Sequence, residues 1–174
     1  MKNFYQALYQ SLQGGQRGLS VPQPPLEELA RTLTASRRAL VLTGFPIDCG
    51  DHVVGETDGP CGAAEIARAL TALGCQVTVV TDGPSLPLLR AALDQTAPGT
   101  PLEEVPMEGA DAFVQALWDR TQPDLFLTIE RPGKAANGHF HNMRGAVIDA
   151  MTADTDCLLS LAAKRGCITV AIGD

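Results

Sequence analysis

The chain has 174 residues, of which 45% are hydrophobic and 19% are charged, a composition that predicts a folded globular domain and argues against a disordered chain. The formal net charge of −7 argues against a broad nucleic-acid or acidic-membrane surface, because both ligands require a basic face. Five cysteines without a CxxC pair predict reduced thiols rather than a disulfide framework or a zinc site. The sequence has no run near the roughly 20 apolar residues of a membrane span, so we predict a cytoplasmic protein.

The first part of the chain predicts a helical arm ahead of the main domain. Residues 3–12 and 26–37 carry apolar residues at helical spacing, and a stretch rich in glycine and proline separates them. We therefore expect residues 1–38 to form an N-terminal helical cap or arm. Residues 39–174 are expected to form an α/β ligand-binding domain.

Buried strands alternate with helices through the rest of the sequence. The predicted strands are 39–44, 76–81, 102–107, 125–129 and 167–172. The predicted helices are 60–73, 85–94, 110–120, 145–151 and 155–165, while residues 45–55 are predicted to be a loop. This alternation predicts a three-layer, Rossmann-like α/β domain with right-handed crossovers and a mostly parallel sheet of about five strands.

The turn at residues 55–63 is the segment around which the predicted domain is organised. Glu56 and Asp58 lie in it, and Gly59 lets the backbone come close to a ligand. Pro60 suits the first turn of a helix, where its missing N–H has no partner to lose. The positive end of that helix would attract an anion. The alternative is a capped turn with two solvated acids.

Acidic residues collect at the carboxyl ends of the predicted strands, where open parallel sheets bind their ligands. Together with the turn, the acids are Glu56, Asp58, Asp82, Glu130 and Asp174. Three or more of them in one cluster would favour Mg²⁺ or a substrate ammonium group. Mg²⁺ is therefore a candidate cofactor without an assigned set of ligands. The competing interpretation is that acids at strand ends cap helices.

The segment 131–148 is a local basic island in an acidic chain, with no Asp or Glu in it. Its cationic and imidazole side chains are Arg131, Lys134, His139, His141 and Arg144. The arginine fork matches a carboxylate or a phosphate, so the island predicts an anion site, with a solvated surface loop as the alternative. The two histidines form a candidate metal pair, although loop histidines more often face solvent.

Four short segments, in this order, carry a resemblance to a known family: Thr-Gly-Phe at 43–45, Glu-Thr-Asp-Gly-Pro at 56–60, Glu-Arg-Pro-Gly at 130–133 and Asn-Met-Arg-Gly at 142–145. Together they resemble the D-glutamate cyclase-like C-terminal domain family over about residues 36–174. Members continue beyond the last strand into a glycine-rich acidic turn, so the chain resembles a C-terminally shortened member. We expect an exposed apolar surface there, and with it self-association.

The resemblance implies a lyase that converts D-glutamate, or a related small anionic amino acid, to its lactam 5-oxo-D-proline with loss of water. The expected catalytic residues are Glu56, Asp58 and Glu130. The expected substrate-binding residues are Gly44, Thr57, Gly59, Asp82, Arg131, Gly133, Asn142, Arg144 and Asp174. Among these, Arg131 and Arg144 are the expected anion clamps and Asn142 an orienting group.

Two alternatives stay open at this point. One is a Mg²⁺-dependent enzyme that acts on a phosphorylated metabolite, which metal-dependent turnover of a phosphate ester would favour. The other is a non-catalytic ligand-binding module, which binding without turnover would favour. In all three cases the expected partner is a small anionic metabolite, with no nucleic acid and no membrane.

Overall fold

The computed structural model describes residues 26–173, which belong to two units. In the N-terminal unit, helix α1 (Leu26–Ala35) has two glutamates in its first turn, which suit the positive end of the helix dipole. The second unit, residues 36–173, is the α/β domain. The helix predicted at 3–12 and Asp174 lie outside the described residues, and the division predicted at 38/39 stays a prediction.

The α/β domain alternates strands and helices along the chain. Its strands are β1 (Arg38–Thr43), β2 (Pro46–Asp48), β3 (Val53–Gly55), β4 (Gln76–Asp82), β5 (Leu102–Val105), β6 (Leu125–Ile129) and β7 (Ile168–Ile172). Its helices are α2 (Asp58–Ala72), α3 (Leu86–Thr96), α4 (Ala110–Thr121) and α5 (Asp156–Arg165). Short 3-10 turns occupy Gly83–Ser85 and Asp149–Met151.

Five of the strands form one parallel sheet in the order β5-β4-β1-β6-β7. Leu40, Val41 and Leu42 in the central strand β1 are almost completely buried, as expected where helices cover both faces of a parallel sheet. Leu40 and Leu42 pack into a cluster with residues of α4 and α5, and Val41 points to the opposite face. The predicted Rossmann-like α/β fold is therefore confirmed.

The loop predicted at 45–55 is wrong on both sides of residues 49–52, where β2 and β3 form an antiparallel hairpin. Cys49 N–H donates to the His52 carbonyl oxygen over 3.0 Å and closes the turn. Val53 and Val54 are β-branched and favour an extended backbone. The strands are only three residues long, too short for an alternating pattern to stand out in the sequence.

The helix predicted at 145–151 is also wrong, apart from the 3-10 turn at its end. Gly145 has a φ of +78°, which ends a right-handed helical pattern. Phe140 and Ile148 are each 2% exposed, and Ile148 N–H donates to the Phe140 carbonyl oxygen over 2.9 Å. Two buried anchors therefore hold this segment extended, in spite of its helical spacing.

Strand β7 lies at one edge of the sheet and is open to solvent. Ile168 and Ile172 are 47% and 46% exposed. This is the place where the sequence predicts an exposed apolar surface, and self-association stays a prediction. Among the described helices, none combines the length and the apolar character needed to cross a bilayer.

Candidate functional site

The candidate site lies where the strand order reverses beside β1. The chain runs from β1 outward to β4 and β5, and then returns to the other side of β1 to form β6. Loops at the carboxyl ends of β1 and β6 therefore diverge and leave a crevice, which is where open α/β sheets bind ligands. Thr43 and Gly44 end the β1 side of this switch point, and Glu130 ends the β6 side.

The first turn of α2 rests directly on the switch point. A Cβ atom on Gly59 would lie 2.6 Å from Thr43 Oγ1 and 3.0 Å from Glu130 Cβ. Only glycine allows this approach of a helix to two strand ends. The close backbone approach predicted at Gly59 therefore occurs within the chain itself, and a contact between Gly59 and a ligand stays a prediction.

Thr43 places a hydroxyl group at the same point. The residue is 0% exposed, and its carbonyl oxygen accepts a bond of 2.9 Å from Thr81 Oγ1. Thr43 Oγ1 has no hydrogen-bond partner within residues 26–173. A buried hydroxyl without a partner costs about 1–3 kcal/mol, so this group adds polarity to the switch point at the expense of stability.

Glu130 has an unusual backbone conformation. Its φ is +44°, which side chains other than glycine rarely adopt and which costs about 1–3 kcal/mol. Its N–H donates to the Ile172 carbonyl oxygen of β7 over 3.0 Å. Glu130 Oε1 lies 3.7 Å from the position that a Cβ on Gly173 would take. Strained residues of this kind cluster at functional sites, which makes Glu130 the foremost candidate of the predicted acids.

Asp58 occupies the start of α2. Its Oδ1 accepts a bond of 2.8 Å from the Gly59 N–H, whereas Thr57 makes no capping side-chain bond. The Asp58 carboxylate therefore already balances the positive end of the helix. An anion at this terminus would compete with Asp58, so the arrangement suits a cationic group better. Glu56 is half-buried, and its N–H donates to the Phe45 carbonyl oxygen over 2.8 Å.

Arg131 and Asp82 form a buried ion pair. The side chains are 3% and 0% exposed, and Arg131 Nη1 lies 2.6 Å from Asp82 Oδ2. The guanidinium also donates to the Gly44 carbonyl oxygen over 3.2 Å, to the Ala153 carbonyl oxygen over 2.6 Å and to Thr155 Oγ1 over 3.2 Å. These contacts use most of the five N–H donors of the arginine. The role of Arg131 as a substrate clamp stays a prediction, and most of its donors already bond to the protein.

Three further buried polar atoms, one of them in Asp82 itself, have no hydrogen-bond partner within the described part of the chain. They are Asp82 Oδ1, Ser85 Oγ and Thr152 Oγ1. Ser85 Oγ also lies 2.6 Å from the Cβ position of Gly44 and 2.6 Å from that of Gly55. Ser85 is not among the predicted site residues, although its place three residues after a strand-end aspartate was a usable signal.

Most cationic and imidazole side chains of the predicted basic island contact carboxylates of the protein. Lys134 pairs with Asp154, and His139 Nδ1 lies 2.6 Å from Asp149 Oδ2. The hydrogen bond from His139, and then the one from the Phe140 N–H, hold the pKa of Asp149 below its usual range. Asp154 and, from β4, Asp82 thus neutralise two of the three formal positive charges of the island, those of Lys134 and Arg131.

Arg144 differs from Arg131 and Lys134, because it is exposed and makes no ion pair with any residue from 26 to 173. Asn142 Oδ1 accepts bonds from the N–H groups of Arg144, over 2.9 Å, and Ala146, over 3.0 Å. Asn142 therefore shapes the turn that presents Arg144. Gly133 is exposed, and Asp174 lies outside the described residues.

A metal centre is not assembled by the side chains seen in this structure. No three His, Cys, Asp or Glu residues between 26 and 173 converge on one point. Asp82 is engaged with Arg131, while Asp58 lies exposed at the start of α2. Mg²⁺ stays a prediction from the sequence.

Comparison with known proteins places the chain in a family. The family model described as "D-glutamate cyclase-like, C-terminal" matches residues 9–174. The human protein named "D-glutamate cyclase, mitochondrial" is 30% identical over 175 residues, which is 92% of this chain and 28% of the human protein. The chain thus spans little more than a quarter of that relative. Because the family model matches nearly the whole length of the chain, the chain belongs to the D-glutamate cyclase-like, C-terminal family.

Proposed function

We propose that the chain acts on D-glutamate, or on a related small amino dicarboxylate, and closes it to the lactam 5-oxo-D-proline with loss of water. The observation that carries this proposal is the 30% sequence identity to human D-glutamate cyclase over 92% of the chain. The switch point contributes acidic groups of the kind the reaction needs. Cytoplasmic location and self-association remain separate predictions.

Ring closure forms a bond between the α-nitrogen and the γ-carboxyl carbon, and one γ-oxygen departs as water. The ammonium must lose a proton before the nitrogen can attack, and both protons that leave the nitrogen end on the departing oxygen. A carboxylate that accepts a proton and returns it can serve both steps. Glu130 is our candidate for this role, because it combines a strand-end position with a strained backbone.

The remaining substrate charges call for two further groups. Asp58 is the candidate partner of the α-ammonium, since its carboxylate is exposed beside the switch point. Arg144 is the candidate partner of a carboxylate, because its charge is not used within the described residues. A cationic donor near the γ-carboxyl group would also stabilise the oxyanion that forms during ring closure.

The test follows lactam formation from D-glutamate by proton NMR, with and without Mg²⁺. We expect turnover by the wild-type chain and a loss of about 10²-fold or more in kcat for Glu130→Gln, the usual size of a general acid–base contribution. Glu108→Gln is the matched control, because Glu108 is exposed and lies in the connection between β5 and α4. Unchanged kinetics in Glu130→Gln would remove Glu130 from the mechanism.

A non-catalytic binding role is the second candidate, and the 28% coverage of the relative favours keeping it. Calorimetric titration with D-glutamate and with 5-oxo-D-proline separates the two. Binding together with turnover supports the enzyme. Binding without turnover, with or without Mg²⁺, assigns this chain the ligand-binding role, and the absence of both overturns the two proposals together.

A further inference from the structure

We infer that Arg131 and Asp82 form a positioning strut that holds Glu130 at the switch point, and that Arg131 does not contact the substrate. This inference rests on the proposed function only for its kinetic test. It departs from the sequence-based expectation, in which Arg131 clamps a substrate anion. The reasons are the burial of the pair, its connections and the backbone of its neighbour.

The strut joins the ends of three strands. Arg131 follows β6, and its guanidinium bonds to Gly44 after β1 and to Asp82 at the end of β4. It also bonds to Ala153 and Thr155, which precede α5. One side chain therefore fixes the relative positions of the loops that form the crevice.

The same pair is closed to solvent. Arg131 is 3% exposed and Asp82 is 0% exposed at the side chain. A second bond, from the Ala153 N–H over 3.2 Å, reaches the same Asp82 oxygen that Arg131 contacts. An anionic substrate would have to displace carbonyl and carboxylate acceptors that are already in place, so the geometry favours an internal role.

Glu130 is the residue that this arrangement would position. Its left-handed φ of +44° persists only if the surrounding structure imposes it. On one side, the Glu130 N–H is bonded to β7. On the other side, the next residue is Arg131, whose side chain is held at four acceptors. Loss of the strut frees the chain after Glu130, and we expect its backbone to relax.

The kinetic test uses Asp82→Asn and Arg131→Lys, which keep the approximate size of each side chain. We expect both to lower kcat by about 10-fold to 100-fold, the cost of a misplaced catalytic group, and to leave KM unchanged. Asp154→Asn is the control, because it removes the charge partner of Lys134 in an exposed pair of the same loop. A rise in KM for Arg131→Lys with wild-type kcat would show that Arg131 binds substrate and would overturn the inference.

A milder variant covers the case in which the buried substitutions do not fold. Thr155→Val removes the acceptor of Arg131 Nε and leaves the ion pair with Asp82 intact. We expect kcat to fall at constant KM, but by less than in the two buried substitutions. In that case, wild-type kcat in a folded Thr155→Val protein overturns the strut.

A readout without turnover separates this inference from the proposed function. The three-bond coupling between the amide and α protons of Glu130, with its ¹³Cα shift, reports the left-handed conformation. We expect both to change in Asp82→Asn, or in Thr155→Val, and to stay as in wild type in Asp154→Asn. If the wild type lacks turnover but Glu130 relaxes in these variants, the proposed function fails and the strut stands. An unchanged Glu130 signal refutes the strut.

Discussion

Two ion pairs that involve the loop after β6 use the same kinds of charged side chain in opposite environments. At its start, Arg131 and Asp82 are 3% and 0% exposed, and the pair is surrounded by further hydrogen bonds. A few residues later, Lys134 and Asp154 are 35% and 37% exposed. Water screens the second pair, whereas breaking the first leaves a charge in the interior. Burial, and not the number of charges, decides what each pair contributes.

The difference also separates the roles of the cations. Arg131, at the buried start of the loop, bonds within the protein interior. Lys134 and the His139 imidazole are more exposed, and they contact acids that follow in the sequence. Arg144 makes no ion pair with a described residue, and it stays the predicted partner of an external anion. A basic island in a sequence is therefore a poor measure of the positive charge that a ligand meets.

The largest expected effect is on the free energy of unfolding, when the cation of each ion pair is replaced by methionine. Arg131→Met should lower the free energy of unfolding by about 3–5 kcal/mol, because Asp82 is then buried without a counter-charge. Lys134→Met should lower it by less than about 1 kcal/mol. Urea denaturation of both variants measures the contrast. Equal losses would contradict the view that burial separates the two pairs.

Two glycines give the second contrast, one beside the buried ion pair and one in the exposed part of the loop. Gly44 has a φ of +119°, and a Cβ there would lie 2.6 Å from Ser85 Oγ and 2.7 Å from Thr81 Oγ1. Gly138 has a φ of +83° with nothing within 4 Å of its Cβ position. Gly138→Ala should cost about 1–2 kcal/mol for the left-handed backbone, and Gly44→Ala about 1–3 kcal/mol more for overpacking. Thermal unfolding measures both, and a smaller loss for Gly44→Ala would refute the tight packing.

The smallest expected effect concerns pH and the exposed turns. Because the pKa of Asp149 is lowered in the folded protein, its stabilising contribution is present above the ordinary aspartate pKa of about 3.9 and is lost as pH falls through the lowered value. His139→Gln should raise the pKa of Asp149 toward the ordinary value, with the Phe140 N–H bond retaining part of the lowering.

Carbon-13 NMR titration of the Asp149 carboxyl group measures this change. His141→Gln is the matched control, because His141 acts on Asp149 only through a weaker charge interaction. We expect a smaller shift of the pKa in that variant. An Asp149 pKa that stays at its wild-type value in His139→Gln would show that His139 does not hold this turn.

Much of the fold follows from patterns that are local in the sequence. The apolar run of β1 predicts a strand buried on both faces, and Leu40, Val41 and Leu42 confirm it. The short hairpin of β2 and β3 was missed because three-residue strands carry little pattern. Residues 145–151 have helical spacing, but the buried Phe140 and Ile148 hold that region extended.

The candidate site was predictable in its place but not in its partners. Strand-end positions and the Gly59–Pro60 turn indicate the switch point, since parallel strands present their carboxyl ends at one edge. The left-handed backbone of Glu130 has no sequence signal, because glutamate rarely adopts it. The Thr43 hydroxyl group, which has no hydrogen-bond partner among residues 26–173, likewise becomes evident only when β1 and α2 are packed together.

The sequence alone determined the α/β class, the parallel strands and the family, because periodicity, strand-end glycines and short motifs are properties of neighbouring residues. The tertiary structure alone decided the use of each charge. Asp82 and Arg131 are 49 residues apart in the chain, and only the sheet brings their atoms to 2.6 Å. The energy of a charge depends on its solvent and its partners, and both are set by distant segments of the chain.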